Sequence, residues 1–142
     1  MQTRSILLIV ALLIIPGCGN IVPSLDTPPP AGATALVVNE IEPAKALPRV
    51  QEAYSQFVDV RTPEEYKGGH AVRAINIPLN ELPAKLDRLE KNEPVYVICQ
   101  SGRRSKEAAE ILNRNGFKWV FDVTGGTNEW SAQGLPMEST AR

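Results

Sequence analysis

Short runs of β-branched residues alternate with segments of helical periodicity from Leu36 to about Met137. Alternation of this kind is typical of an α/β domain built on a parallel sheet. No internal repeat is visible in this part of the chain. The apolar runs predict five strands, at residues 35–38, 57–60, 74–77, 95–99 and 119–123.

Two helices are predicted between the strands. The first follows the third strand, where Asn80 could cap a helix and Pro83 is compatible only within the first turn. Its leucines recur at helical spacing: Leu79, Leu82, Leu86 and Leu89. The second runs from about Arg103 to Asn115, and Gly116 is placed to end it. After the first strand, Pro43 and Pro48 predict only short helical turns.

Composition narrows the class of protein. Of the 142 residues 43% are hydrophobic and 22% are charged, which is the balance of one soluble globular domain. Fifteen basic and 16 acidic residues give a net charge of −1, so nothing favours nucleic-acid binding. Two cysteines and one histidine cannot form a disulfide framework or an ordinary structural zinc site. We therefore expect neither a metal nor a cofactor.

The N-terminus has the pattern of an export signal. Arg4 precedes an apolar run at residues 6–15 that is too short to span a bilayer. Ile15-Pro16-Gly17-Cys18 resembles a bacterial lipobox, which implies a lipoprotein signal at residues 1–17 and lipidation of Cys18. An ordinary cleaved signal or an uncleaved interfacial anchor is the alternative.

A change in composition separates the signal from the domain. Residues 18–34 are rich in Pro, Gly, Ser, Thr and Asn, which predicts a disordered tether. The domain is then expected at residues 35–138, with a short tail at 139–142. Lipidation would place the protein in the bacterial cell envelope, attached to a membrane by its N-terminal lipid, with the domain in the periplasm or at the cell surface.

The segment around Cys99 carries the most chemical information. The predicted strand 95–99 ends in this cysteine, and a small-residue loop and a helix follow. Ligands of open α/β sheets bind beyond the carboxyl ends of the strands. Loop amides, the helix N-terminus and the charges of Arg103 and Arg104 would favour a thiolate and a bound oxyanion. The alternatives are a small buried hydrophobe for Cys99 and ordinary loop or capping roles for Ser101 and Ser105.

Four ordered blocks make the chain resemble the rhodanese-like sulfurtransferase family. They are DVRTPEEY at residues 59–66, GH at 69–70 leading to AINIP at 74–78, CQSGRRS at 99–105, and Gly125-Gly126 with Trp130. The resemblance implies a five-stranded parallel sheet with helices on both faces. It also implies transfer of a sulfane sulfur through a persulfide on Cys99, and the short loop is similar to that of single-domain thiosulfate sulfurtransferases.

The resemblance also implies the residues around the substrate. The donor would be a small anion such as thiosulfate, and the acceptor a thiol, cyanide or a protein. Arg61 could bind the anion, although a structural link of Asp59 to the backbone or of Arg61 to Glu65 is the alternative. His70 matches a structural histidine of the family. The expected substrate-binding residues are Gln100, Ser101, Gly102, Arg103, Arg104, Ser105 and Arg61.

Two other functions remain open at this point. A phosphatase or arsenate reductase would use Cys99 on the same fold, but those enzymes place the anion-binding arginine six positions after the cysteine, where this chain has Ser105. A tethered docking module without catalysis is the second alternative.

The chain also departs from the family at residues 71–73, Ala-Val-Arg, where Arg73 is expected to be solvated or to add charge near the site.

Overall fold

The computed structural model describes residues 38–140, and the predicted signal and the predicted tether lie outside them. The strands are β1 (Asn39–Ile41), β2 (Gln56–Asp59), β3 (His70–Ala71), β4 (Ile75–Asn76), β5 (Val95–Ile98), β6 (Val120–Val123) and β7 (Met137–Glu138). Five of them form a parallel sheet, as predicted. The strand order in this sheet is β1-β6-β5-β2-β4, and β3 and β7 form a separate antiparallel pair. The helices are α1 (Pro43–Val50), α2 (Pro63–Gly68), α3 (Arg103–Arg114) and α4 (Gly126–Ala132).

The core lies on both faces of the sheet because side chains alternate along each strand. On β5, Val95 and Val97 belong to the cluster beneath α3, whereas Tyr96 and Ile98 belong to the cluster that contains Trp130 of α4. All four residues of this strand are buried. Helices therefore cover both faces, as the sequence predicted, and the central strand can be apolar throughout.

The first strand lies further along the chain than predicted. Of the predicted residues 35–38 only Val38 is described, and it precedes β1. Asn39, Glu40 and Ile41 pair with Phe121–Val123 of β6 at the sheet edge. An edge strand is held mainly by its backbone hydrogen bonds, so polar side chains are tolerated and the apolar pattern is weak.

The leucine-spaced segment does not form the predicted α-helix. It forms two 3-10 turns, Leu82–Ala84 and Leu86–Arg88. Pro83 lies in the first turn, where no N–H is needed, but Lys85 between the two turns leaves helical geometry, with a φ of −123° and a ψ of 19°. Leu82 and Leu89 are nevertheless buried in the core, so the apolar spacing correctly indicated that these side chains are buried.

Two other helix predictions had different outcomes. The helix predicted at 103–115 is confirmed as α3, with Gly116 at a φ of +84° just beyond it. The short turns predicted around Pro43 and Pro48 are wrong, because one eight-residue helix, α1, spans both prolines. Pro43 occupies the first position, where no N–H is needed, and buried Ala46 and Val50 hold α1 against the sheet despite Pro48.

Candidate active site

Cys99 lies at the carboxyl end of β5, between β2 and β6, and is only 1% exposed. The chain then turns through Gln100, Ser101 and Gly102 and enters α3 at Arg103. Gly102 has a φ of +97°, a left-handed conformation that strongly favours glycine. This turn directs the start of α3 back over the cysteine.

Two hydrogen-bond donors contact the cysteine sulfur. The backbone N–H of Gly102 lies 3.1 Å from Sγ, and the hydroxyl oxygen of Ser105 lies 3.4 Å from it. Burial alone would raise the pKa of the Cys99 thiol, but hydrogen bonds from the Ser105 hydroxyl and from the backbone of Ser105, Ser101 and Gly102 together lower it. The surroundings of the sulfur therefore favour the thiolate, which is the nucleophilic form.

Backbone N–H groups at the N-terminal end of α4 bind the carbonyl groups of the cysteine loop. The N–H of Thr127 donates to the Cys99 carbonyl at 2.7 Å, and the N–H of Asn128 donates to the Gln100 carbonyl at 3.1 Å. A Cβ on Gly126 would lie 2.3 Å from the Cys99 carbonyl oxygen, so only glycine permits this approach. Sequence reasoning missed Thr127 and Asn128, although the adjacent glycines were a signal for close backbone contact.

Arg104 is bound to a carboxylate of another helix. Its Nη1 and Nη2 donate to the two oxygens of Glu65 in α2, at 2.8 and 2.7 Å. This pairing, opposed by partial burial, lowers the pKa of Glu65 to about 2. Arg103, by contrast, is exposed and has no ion pair within residues 38–140. Of the two arginines predicted to bind the anion, Arg104 is thus paired with Glu65, whereas the guanidinium of Arg103 is unpaired among the described residues.

Arg61 is buried at 6% exposure and its guanidinium binds protein groups. Its Nε donates to both carboxylate oxygens of Asp59 at 3.0 Å, and Nη2 donates to Asp59 and to the Gly69 carbonyl. The link of Asp59 to the backbone that the sequence left open is present, since Asp59 accepts the Arg61 N–H at 3.0 Å, but the guanidinium of Arg61 pairs with Asp59 and not with Glu65. The link ties the end of β2 to the end of α2.

The remaining predicted positions lie around this site. Ser101 and Gln100 have exposed side chains in the loop. His70 is buried, its Nδ1 lies 2.8 Å from the Tyr66 carbonyl, and its ring stacks on Tyr66, as a structural residue would. Arg73 is exposed and donates to the Gln51 carbonyl at 3.2 Å. Its φ of +74° shows that the chain keeps a left-handed turn here without a glycine.

Asp122 is another residue that sequence reasoning missed. It lies on β6, is 3% exposed, and its Oδ1 has no hydrogen-bond partner in the described part of the chain. An acidic residue within an otherwise apolar strand was the available signal.

No group of three or more His, Cys, Asp or Glu side chains between residues 38 and 140 could hold a metal ion. No helix in that range is long and apolar enough to cross a membrane. The predicted lipidation site, Cys18, lies outside the described residues.

Known proteins are similar to this chain in sequence. The chain is 36% identical over 102 residues to the putative sulfur carrier protein YrkF of Bacillus subtilis, covering 65% of this chain and 55% of that protein. It is 36% identical over 96 residues to the chloroplastic thiosulfate sulfurtransferase 16 of Arabidopsis thaliana, covering 59% of this chain and 80% of that protein. The chain thus spans little more than half the length of the Bacillus relative.

A solved structure and a family model are also similar to this chain. The rhodanese-related protein of Thermoplasma volcanium superposes with a TM-score of 0.65 at 34% identity, covering 70% of this chain and 97% of that one. The model of the rhodanese-like domain matches residues 42–133, which include the Cys99 loop and the glycine pair behind it. The chain belongs to the rhodanese-like domain family.

Proposed function

We propose that this protein is a sulfurtransferase that carries a sulfane sulfur on Cys99 as a persulfide. The observation that carries the proposal is the environment of Sγ, a buried sulfur at a strand end that accepts hydrogen bonds from the Gly102 amide and the Ser105 hydroxyl. Such donors stabilise negative charge on sulfur in the thiolate and in the persulfide. The names of the Bacillus and Arabidopsis relatives support the same class of reaction.

The reaction divides into two displacements at sulfur. In the first, the Cys99 thiolate attacks the outer sulfur of thiosulfate, a new S–S bond forms, and sulfite leaves with the electron pair of the broken S–S bond. In the second, cyanide or a thiolate acceptor attacks the outer sulfur of the persulfide. Cys99 then leaves as a thiolate. Neither step needs a redox cofactor, because the transferred sulfur keeps its sulfane oxidation level and each leaving group takes the electron pair of the S–S bond that breaks.

Each neighbour of Cys99 has a defined part in this scheme. The Gly102 amide and the Ser105 hydroxyl stabilise Cys99 Sγ when it is the nucleophile and again when it is the leaving group. The exposed guanidinium of Arg103 attracts the anionic donor. Arg104 is paired with Glu65, so it contributes chiefly by holding the start of α3 in place.

Sulfur uptake tests the proposal directly. The full-length protein is incubated with thiosulfate, freed of excess donor and analysed by mass spectrometry. We expect a gain of one sulfur atom on the peptide that contains Cys99, and loss of that sulfur on addition of cyanide. Cys99→Ser is the matched control and should gain none, because a serine hydroxyl does not become an effective nucleophile here.

The outcomes separate the alternatives. Uptake by the Cys99→Ser variant, or none by the wild type, would refute the persulfide mechanism. If the wild type takes up no sulfur but hydrolyses an aryl phosphate or reduces arsenate in a Cys99-dependent manner, the phosphatase or arsenate reductase hypothesis replaces it. If Cys99 supports none of these reactions, the non-catalytic docking module remains.

We further propose that the domain works while attached to a membrane. The support comes from the sequence at residues 1–18, where an apolar run leads to Gly17-Cys18. A lipid on Cys18 would hold the domain in the cell envelope on the Pro-rich tether at residues 18–34. It would also remove the one other thiol able to pair with Cys99, leaving the catalytic sulfur reduced for the reaction.

A further inference from the structure

His70 is the one histidine of the chain, and its ring is buried at 2% exposure at the start of β3. The ring stacks on the Tyr66 ring, with the two centroids 3.6 Å apart. Its Nδ1 lies 2.8 Å from the Tyr66 carbonyl oxygen. A carbonyl oxygen only accepts hydrogen bonds, so Nδ1 carries a hydrogen. In the neutral ring Nε2 then has no hydrogen and can only accept.

The group that faces Nε2 is also an acceptor. Oε1 of Glu138 lies 3.5 Å from Nε2, and Glu138 is the residue of β7 that pairs with His70 in the antiparallel register. When the ring is neutral, two acceptors face each other and no hydrogen lies between them. When the ring gains a proton, Nε2 donates to the carboxylate and the contact becomes an ion pair. The contact between the two strands therefore depends on the charge of the ring.

The other titratable and charged groups near this pair have partners of their own. From α2, the Tyr66 hydroxyl donates to the Ala74 carbonyl. From the end of β2, the Arg61 guanidinium binds Asp59 and donates to the carbonyl of Gly69, which precedes the histidine. The charges of Asp59 and Arg61 thus offset each other.

The turn after β3 and the helix α4 add no second carboxylate beside the ring within the described residues. The Arg73 N–H donates to Oε1 of Glu138 at 3.3 Å, whereas the Arg73 guanidinium donates to the Gln51 carbonyl. Helix α4 contributes Trp130, which belongs to the same apolar cluster as Ala71, the residue after the histidine. Within residues 38–140, Glu138 is therefore the charged partner of Nε2.

Strand β7 is short, and both of its residues are exposed. Next to it, the Val72 N–H and the Trp130 indole N–H donate to the Pro136 carbonyl at 3.1 and 3.0 Å. The Ser139 hydroxyl donates to the Lys67 carbonyl at 2.9 Å. A segment with little buried surface opens locally at a small free-energy cost, so a single ion pair can change how often it opens.

We propose that His70 and Glu138 form a pH-dependent clasp, which holds β7 on β3 more tightly when the His70 ring is protonated. Lowering the pH adds the proton, so the clasp strengthens as the pH falls through the range in which histidine side chains gain charge, and it weakens as the pH rises. Because Glu138 is 50% exposed, we expect an effect of about threefold on the opening of β7. No part of the clasp involves Cys99, so the clasp and the proposed function fail independently.

Amide hydrogen exchange measures the opening of β7. The untagged full-length protein is followed by NMR at about pH 5.5 and about pH 8, on either side of the usual histidine titration. The exchange rate of the Val72 amide, which donates to the Pro136 carbonyl, is compared with the rate of an unfolded chain at the same pH. We expect the protection of Val72 to be about threefold greater at the lower pH.

Three variants test the role of the carboxylate. Glu138→Gln removes its charge at constant size, and Glu138→Ala removes the acceptor altogether. In both we expect Val72 to be no better protected at the lower pH than at the higher. Glu64→Gln removes an exposed carboxylate from α2, the helix that packs against the ring, and should keep the wild-type pH dependence.

The imidazole signals of the single histidine give a second measurement. At about pH 8 we expect the hydrogen on Nδ1, and a hydrogen on Nε2 instead would overturn the proposal. Equal protection of Val72 at both pH values in the wild type would also overturn it. So would a pH dependence that persists in either Glu138 variant, or one that is lost in Glu64→Gln.

Discussion

Arg104 at the start of α3 and Glu65 in α2 are joined by two parallel hydrogen bonds of 2.8 and 2.7 Å. The same carboxylate accepts the backbone N–H of Thr62 at 2.9 Å, and the Thr62 hydroxyl accepts the N–H of Glu65 in return. Glu65 therefore caps its own helix and anchors the helix that carries the cysteine loop. Removing it disturbs both elements.

We expect Glu65→Gln to lower the free energy of unfolding by about 1 kcal/mol at pH 7. Because the pKa of Glu65 is lowered from 4.5 to about 2, its charge stabilises the fold fully above the unfolded-state value and progressively less as the pH falls toward 2. Urea denaturation at pH 7 and at about pH 3 should show the difference between wild type and variant narrowing. Glu64→Gln, an exposed neighbour on α2, is the control. A difference independent of pH would contradict the pairing.

Arg103→Ala and Arg104→Ala should separate donor binding from stability. Arg103 is exposed, so its removal should change stability by less than about 0.5 kcal/mol while raising the KM for thiosulfate about threefold or more. Arg104→Ala should cost about 1 kcal/mol because Glu65 loses its partner, with a smaller effect on KM. Arg103→Lys keeps the charge and should restore most of the KM. Wild-type kinetics in both alanine variants would show that the backbone amides bind the donor alone.

Gly126→Ala should damage the fold and the site together. Its φ is +60°, and the new Cβ would meet the Cys99 carbonyl oxygen at 2.3 Å and the Gln100 carbonyl carbon at 2.6 Å. Backbone strain and overpacking predict a loss of about 2–4 kcal/mol, together with slower alkylation of Cys99. Gly134→Ala has a similar φ of +67° and open space around it, so it should cost only about 1 kcal/mol. Equal losses in thermal denaturation would mean that the close approach is unimportant.

Arg73→Gly should stabilise the protein. Arg73 has a φ of +74°, where glycine is favoured over other residues by about 1 kcal/mol, and its exposed side chain contributes little beyond the bond to the Gln51 carbonyl. We expect a gain of at most about 0.5 kcal/mol in urea denaturation, because the greater entropy of glycine in the unfolded chain offsets part of the relieved strain. Arg73→Ala keeps the strain and should show no gain. A less stable glycine variant would mean that the Gln51 contact outweighs the strain.

Lipidation of Cys18 predicts where the protein is found. Wild type should fractionate with membranes and enter the detergent phase, since an acyl chain contributes about 0.8 kcal/mol per buried methylene. Cys18→Ala should move to the soluble periplasm or remain as an unprocessed precursor. Cys99→Ala is the control for loss of a thiol and should stay in the detergent phase. Equal solubility and processing of wild type and Cys18→Ala would refute the lipoprotein hypothesis.

Sequence patterns predicted the fold best where burial was complete. The run at Val95–Ile98 forms a central strand covered on both faces, so its apolar pattern was unmistakable. The edge strand at Asn39–Ile41 was misplaced because backbone pairing, which leaves no apolar pattern, holds it. The apolar spacing at residues 79–89 is typical of a helix, but it belongs to two 3-10 turns separated by the non-helical backbone of Lys85.

The candidate site was likewise predictable from the sequence only in part. The Cys99 loop is continuous in the chain, so its cysteine, its glycine and the helix start could be identified together. The partners of that loop are distant in sequence: Glu65 comes 39 positions before Arg104, and Thr127 lies beyond β6, in α4. Which of two adjacent arginines is paired depends on tertiary packing that no local pattern contains.

The hydrogen bonds from α4 to the carbonyls of Cys99 and Gln100 also limit how this protein can evolve. Any insertion or deletion between Cys99 and Arg103 would move α3 relative to peptide groups that Thr127 and Asn128 hold in fixed positions. A change in loop length would be needed to accommodate a larger tetrahedral substrate, and we expect it to require a simultaneous change at the Gly125-Gly126 turn. The loop and the turn are more than 20 residues apart in the chain, so we expect an insertion or deletion in the loop alone to be selected against.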